Sequence, residues 1–209
     1  GPFAPDRVAA MAPAARSALA GPMSDACGLS AVELTCAHLA RIQTEQDATH
    51  AGIIATMPAD GVVQLARALA AIVYADLARR LVRKSDRELF HDVIGEPAAV
   101  VAIRRTPFHA ALGALAPTAT SIADLQRPDP PTTAPGGTDW ELPTTSAVIA
   151  GEPPILRHCL AIIAAWVAAV EAELSAILRA RFGDCGSLPE LSPAQRTALS
   201  GFIARQLVP

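Results

Sequence analysis

The segment that most constrains the fold is residues 155–181, because its pattern predicts a helix with two apolar sides. Large apolar residues recur there at helical spacing, from Ile155 through Trp166 to Leu178. A helix that is apolar on both sides must be covered on both sides. We therefore expect this helix at the centre of a bundle, or between a bundle and a partner. The second side is a stripe of small residues, namely Ala161, Ala165, Ala168, Ala172 and Ala176.

Three capping boxes support a predominantly helical chain. In this motif a Ser hydroxyl accepts from the N3 amide, and a Glu or Gln at N3 reaches back to the cap amide. The pattern begins at Ser30, at Ser85 and at Ser192, where Pro193 takes the first helical position. Apolar spacing and breakers then predict helices over residues 30–56, 61–84, 86–94, 107–116, 155–181 and 193–207, with Gly95 as a left-handed cap.

Two segments are harder to assign. Residues 97–105 read as a buried strand or as a helix, and we favour helix because no partner strand is visible. Residues 117–154 are rich in proline and threonine and contain Gly136 and Gly137, so they cannot form a regular helix. Trp140, Leu142, Val148 and Ile149 are the expected anchors of this crossover.

The predicted fold is therefore all-α, a bundle of six or seven helices with a long proline-rich crossover. We divide the chain into an N-terminal helical region (1–116), the crossover (117–154) and a C-terminal helical region (155–209). The first and last of these are expected to pack together as one domain. The crossover could be a linker, a cover or a binding element, and the pattern does not decide between them.

Composition excludes several classes of protein. The chain is 51% hydrophobic and 18% charged, which is inconsistent with wholesale disorder. Its net charge of -3 argues against a globally basic nucleic-acid binder, and aromatic residues at 4% argue against a base-stacking platform. No apolar stretch is long enough to span a bilayer. Residues 8–20 weakly resemble a secretion signal, but Pro13 and Arg16 interrupt them, so we expect a cytoplasmic protein.

No complete catalytic or metal motif is present, and no cofactor is predicted. Phosphate-binding glycine loops and a nucleophile elbow are absent from the sequence. Glu88 and His91 have the spacing of one half of a di-iron site, but no second copy exists. A zinc site built from Cys36, His38, His158 and Cys159 would need each ligand placed independently.

The four cysteines are expected to be reduced thiols in an intracellular protein. They are Cys27, Cys36, Cys159 and Cys185, and none forms a C-x-x-C pair. Cys185 lies in a Gly-Asp-Cys-Gly turn, and Arg179 and Arg181 nearby would favour its thiolate. We nevertheless interpret this cysteine as an incidental part of a helix-ending turn.

One basic cluster stands out: Arg79, Arg80, Arg83 and Lys84. Cations at the end of a helix stabilise its dipole, which is a sufficient structural reason for the cluster. An anionic partner is the alternative explanation. Arg104 and Arg105 would extend the patch if they pack nearby.

The absence of catalytic motifs and the doubly apolar helix favour a non-enzymatic interaction or regulatory protein that forms a homodimer or binds another protein. The alternative is a helical small-molecule-binding protein, or an enzyme, with a pocket near Tyr74, His158 and Trp166. A nucleic-acid-associated factor ranks third. In the dimer hypothesis Ala168 lies at the interface, since small residues allow two helices to approach closely.

Overall fold

All regular structure in the described part of the chain is helical, as predicted. The computed structural model describes residues 31–103, 107–118, 120–126, 151–182 and 188–207. Two 3-10 turns, Gly113–Leu115 and Ile122–Leu125, accompany nine α-helices within these residues. The helices are α1 (Ala31–Thr56), α2 (Ala59–Val73), α3 (Ala75–Arg80), α4 (Lys84–Ile94), α5 (Glu96–Ile103), α6 (His109–Leu112), α7 (Pro154–Val170), α8 (Ala172–Phe182) and α9 (Pro193–Leu207).

Two helices have the ends that the sequence predicts. Helix α1 begins directly after Ser30 and ends at Thr56, before Pro58. Helix α9 covers residues 193–207, and its capping box is formed: the Ser192 amide donates to Gln195 Oε1 at 2.9 Å, and the Gln195 amide donates to Ser192 Oγ at 3.3 Å. Local hydrogen bonding is therefore sufficient to fix this helix end.

The prediction of one continuous helix over residues 61–84 is wrong, because the helix breaks at Tyr74. Helix α2 ends at Val73, and Tyr74 has φ -101° and ψ 20° before α3 begins. The apolar spacing continues to Leu77, which is buried, so the sequence pattern carries no sign of this break. The ring of Tyr74 is itself buried, and we attribute the break to the tertiary contact of this side chain described below.

The capping box predicted at Ser85 is also wrong. Helix α4 begins at Lys84, and its N-cap is Arg83, which makes no side-chain capping bond. Ser85 therefore lies within the first turn, where its hydroxyl donates to Asp86 Oδ1 at 3.3 Å. The helix ends at Gly95, whose φ of 88° is positive as predicted, although its ψ of 145° is extended rather than left-handed helical.

The doubly apolar helix predicted over residues 155–181 exists only in its first part. Glu171 adopts extended angles, φ -151° and ψ 107°, and separates α7 from α8. Along α7 both predicted sides are buried, including Trp166 on one side and Ala161 and Ala165 on the other. On α8 the pattern does not hold, because Ala176 is exposed and Ile177 is 46% exposed.

The segment around residue 100 is the helix α5, which confirms the helical choice over the strand. The helix predicted over 107–116 is shorter than expected. Pro107 and Phe108 form a turn, α6 follows, and the 3-10 turn Gly113–Leu115 completes the segment. Thr106, which directly precedes this segment, lies outside the described residues. These divisions explain why the helices in the described residues outnumber the six or seven predicted.

Most of the proline-rich crossover, residues 127–150, lies outside the described residues, as do its expected anchors Trp140, Leu142, Val148 and Ile149. The bundle with a long crossover therefore stays a prediction. At the start of this segment, the Ser121 amide donates to Asp124 Oδ2 at 2.7 Å and caps the turn Ile122–Leu125.

The chain divides into two compact units, Gly1–Thr49 and His50–Pro209. In the first unit the described residues form the polar start of α1, where Arg41 pairs with Glu45 at 2.6 Å. In the second unit α7 packs against α2 and α8. Arg181 of α8 donates to the carbonyl oxygens of Met57, at 2.7 Å, and Ala55, and so satisfies acceptors at the end of α1.

None of the helices in the described residues combines the length and the apolar character that crossing a bilayer requires.

We predict that replacing Trp166 by Ala lowers the free energy of unfolding by about 3–5 kcal/mol. The indole is 1% exposed, and its Nε1 donates to Ser200 Oγ at 3.1 Å, so the change removes both packing and a link from α7 to α9. Urea unfolding followed by circular dichroism measures the loss. The control Ile177→Ala should change the free energy of unfolding much less, since Ile177 is 46% exposed. Equal losses in the two variants would contradict the central position of Trp166.

Candidate ligand-binding cleft

Of the residues predicted to form a pocket, Tyr74 and His158 meet and Trp166 does not join them. The Tyr74 hydroxyl lies 2.7 Å from His158 Nδ1, and the two rings meet edge to face with centroids 6.0 Å apart. Trp166 is bonded to Ser200 instead. Ala168, the predicted interface residue, is half-buried. The structure therefore brings one pair of the predicted constellation together, and a pocket around it stays a prediction.

Burial governs the charge states of this pair. It raises the pKa of Tyr74, with smaller contributions from Cys159 and Asp124. It lowers the pKa of His158. Both partners are therefore neutral at pH 7, and a hydrogen bond joins the Tyr74 hydroxyl and His158 Nδ1. None of the three clefts described below is lined by either residue. We interpret the pair as a polar link between the break after α2 and the buried helix α7.

The largest cleft described here, about 540 Å³, lies in the second unit and is lined by residues of α2, α4, α5 and α9 and by the turn before α6. We call it the Phe108 cleft. Phe108 and Phe202 meet edge to face, with ring centroids 6.3 Å apart and an angle of 82°. The apolar wall consists of these two rings with Ile72, Ile94, Ala98 and Val101.

A polar rim completes the Phe108 cleft, and among the described residues that line it there is no carboxylate. Gln64 and Arg67 come from α2, whereas Arg205 and Gln206 come from α9. The guanidinium carbon of Arg205 lies 5.0 Å from the centroid of the Phe108 ring, which is a cation–π arrangement.

Gly201 has a specific role in this wall. A Cβ at this position would lie 3.3 Å from Cε1 of Phe108, so the glycine provides room for the ring against α9. Its place inside a helix is otherwise unfavourable. The Phe108 ring therefore packs so close to α9 that a side chain at position 201 would displace it.

The residues of this cleft were not predicted, although the sequence contains part of a pattern that points to them. Gln64, Arg67 and Ala68 have helical spacing along α2, and the first two are polar residues within a mainly apolar stretch. Phe202, Arg205 and Gln206 have the same spacing along α9. The two rows line one cleft because of the way in which the helices pack. Helices α2 and α9 are far apart in the chain, so no local sequence pattern predicts that their side chains line the same cleft.

Two smaller clefts are also present in the second unit. One of about 300 Å³ is lined in part by Asp76, Arg79 and His109. The other, of about 400 Å³, is lined in part by Asp92, Gln126 and the buried residue Glu152. Both have fewer apolar side chains than the Phe108 cleft. Several of their polar groups already have partners: Asp76 is paired with Arg79, and both His109 and Glu152 have interactions within the protein.

The predicted basic cluster is partly neutralised by its own helices. Arg79 pairs with Asp76 at 2.6 Å, and Lys84 lies 3.5 Å from Glu88. Arg80 Nε donates to the backbone oxygen of Asp76 at 3.2 Å, and Arg83 is exposed. An anionic partner for this patch stays a prediction. Arg104 and Arg105, its expected extension, lie outside the described residues.

No cluster of three or more potential metal ligands occurs in the part of the chain that the structure describes. Glu88 and His91 are both exposed on α4. Cys36 is an exposed free thiol. Cys159 is buried and free, and burial raises the pKa of its thiol. This thiol is therefore protonated at neutral pH and poorly nucleophilic. Cys27 and Cys185 lie outside the described residues.

No protein-family model, curated protein or solved structure matches this chain.

We predict that the protein loses stability as the pH falls below about 6.5, in part because of His158. The unfolded imidazole takes up a proton near its ordinary pKa, whereas the folded one, with its lowered pKa, does so only at lower pH. The unfolded state then binds more protons, so acid favours unfolding.

Urea unfolding at several pH values between 5 and 8 measures this dependence. Replacing His158 by Gln should flatten it, whereas His91→Gln, a change at an exposed position of α4, should leave it as in the parent. A His158→Gln protein with an unchanged pH dependence would contradict the assignment.

Proposed function

We propose that the second unit is a binding domain for a small, mainly apolar organic molecule, and that the Phe108 cleft is its site. The observation that carries the proposal is the combination of an apolar wall with a few polar side chains at its rim. Ligand sites typically have this composition and a volume of roughly 300–1,000 Å³. The volume of the Phe108 cleft, about 540 Å³, lies within that range.

The aromatic wall supports the proposal. Phe108 is half-buried, although it packs against the buried Phe202 ring, so part of its surface remains in contact with water. Val101, at 36% exposure, is another large apolar residue of the wall that is in contact with water. An apolar molecule in the cleft would remove these surfaces from water, which is favourable by about 25 cal/mol per Å².

The first test is binding of an uncharged apolar fluorophore, N-phenyl-1-naphthylamine. We expect saturable binding with one site per chain and a blue shift of the emission. Replacing Ala68 by Phe fills the cleft with a ring, since Ala68 lines it and is half-buried. This variant should bind the fluorophore at least about tenfold more weakly, as the loss of a few buried groups would give.

Ala194→Phe is the matched control, because Ala194 is exposed on α9 and does not line the cleft. A second occluding variant, Val101→Trp, keeps the test valid if Ala68→Phe unfolds the protein. Binding that is absent in the parent, or is the same in all variants, would refute the proposal.

Self-association is a second candidate, and one observation favours it. The alanine stripe is covered along α7, where Ala161 and Ala165 are buried by the chain itself. On α8, however, Ala172 and Ala176 are exposed beside Ile177, which is 46% exposed. This row of small and apolar side chains would suit a close helix pair across a two-fold axis.

For this candidate we predict a concentration-dependent dimer whose dissociation constant rises in Ala176→Glu, since two like charges would meet at the axis. Sedimentation equilibrium measures it. Ala194→Glu, at an exposed position of α9, is the control and should associate like the parent. A parent chain that stays monomeric at high concentration would exclude the dimer.

A further inference from the structure

The Phe108 cleft has an unbalanced charge. Two guanidinium groups, of Arg67 and Arg205, line it together with the amides of Gln64 and Gln206, and no Asp or Glu lines it within the part of the chain that the structure describes. Within the described residues no carboxylate lies at ion-pairing distance, 4 Å or less, from either guanidinium. The site is therefore apolar along its wall and positively charged at its rim.

Arg67 is the more informative of the two arginines. Its Nε is buried, and this N–H has no hydrogen-bond acceptor within the described residues. A buried donor without an acceptor lowers the stability of the folded protein. Other arginines of the chain have acceptors, such as Glu45 for Arg41 and the Met57 carbonyl for Arg181. Because Arg67 lines the Phe108 cleft, its guanidinium would bind an anionic group of a ligand there.

Arg205 is held in a way that leaves its donors available. Its guanidinium lies over the face of the Phe108 ring, 5.0 Å from the centroid. The ring attracts the positive charge but accepts none of the in-plane N–H groups in the way that an oxygen does. Such a guanidinium can donate two parallel bonds to a carboxylate.

We infer that the ligand of the Phe108 cleft is an amphipathic monocarboxylate, whose apolar body lies along Phe108 and Phe202 and whose carboxylate is bound at the rim by Arg67 and Arg205. This inference rests on the proposed function and specifies its ligand class. The charge of the rim supplies the preference for an acid, and the wall supplies most of the affinity.

The experiment compares octanoate, 1-octanol and octylamine as competitors of N-phenyl-1-naphthylamine at pH 7.5. The three share one alkyl chain and differ only in their head group. We expect octanoate to displace the fluorophore at a concentration about tenfold lower than 1-octanol requires, since its carboxylate can form charge-assisted hydrogen bonds with the guanidinium groups of the rim. Octylamine should be the weakest of the three, because its charge has the sign of the rim.

Arg67→Met separates the role of the arginine from that of the apolar wall. In this variant the preference for octanoate over 1-octanol should be lost, and because the preference is a ratio measured within one variant, a change in fluorophore affinity does not affect it. The thermal midpoint of the variant should be no lower than that of the parent, since the change removes a buried unsatisfied donor. Arg83→Met, at an exposed position outside the cleft, is the control and should keep the preference.

The outcomes distinguish the two proposals. Fluorophore binding without a preference for octanoate, or a preference that survives in Arg67→Met, overturns the carboxylate assignment and leaves the binding function standing. A strongly destabilised Arg67→Met protein also overturns it, because the arginine would then have a structural role. A parent that binds no fluorophore refutes the proposed function itself.

Discussion

Helix α7 is the element on which the second unit depends, because residues 159–167 are all buried and leave no solvent-facing side along this stretch. Both the large apolar residues, such as Ile162 and Trp166, and the small ones, such as Ala161 and Ala165, are buried. A helix of this kind is stable only when neighbouring helices cover it all round. Helices α2 and α8 pack directly on it, and α9 is linked to it by the hydrogen bond from Trp166 to Ser200.

Polar groups in this interior serve to join helices. The Tyr74–His158 hydrogen bond ties the break after α2 to α7, and its two partners are both neutral because burial disfavours their charged forms. Arg181 joins α8 to the end of α1 through two backbone carbonyls. In each case a buried polar atom has a partner, as the cost of leaving it alone requires.

The Phe108 cleft departs from this rule, and the departure gives it functional interest. Arg67 Nε is buried without an acceptor among the described residues, and Phe108 is only half-buried. Both features oppose stability in the unliganded protein. Sites that bind ligands commonly retain such unfavourable groups, because the ligand supplies the missing contacts. These two costs to the stability of the unliganded protein therefore support a binding role for the cleft.

The sequence by itself determined the helical class, the ends of α1 and α9 and the burial of Trp166, because capping and apolar spacing are local properties. It did not determine the breaks at Tyr74 and Glu171, where the apolar pattern continues on both sides. Only the tertiary structure brought Tyr74 to His158 and placed Arg67 and Arg205 on one cleft. These pairs are separated by long stretches of chain, and their meeting depends on how the helices pack around α7, which no periodicity along the chain encodes.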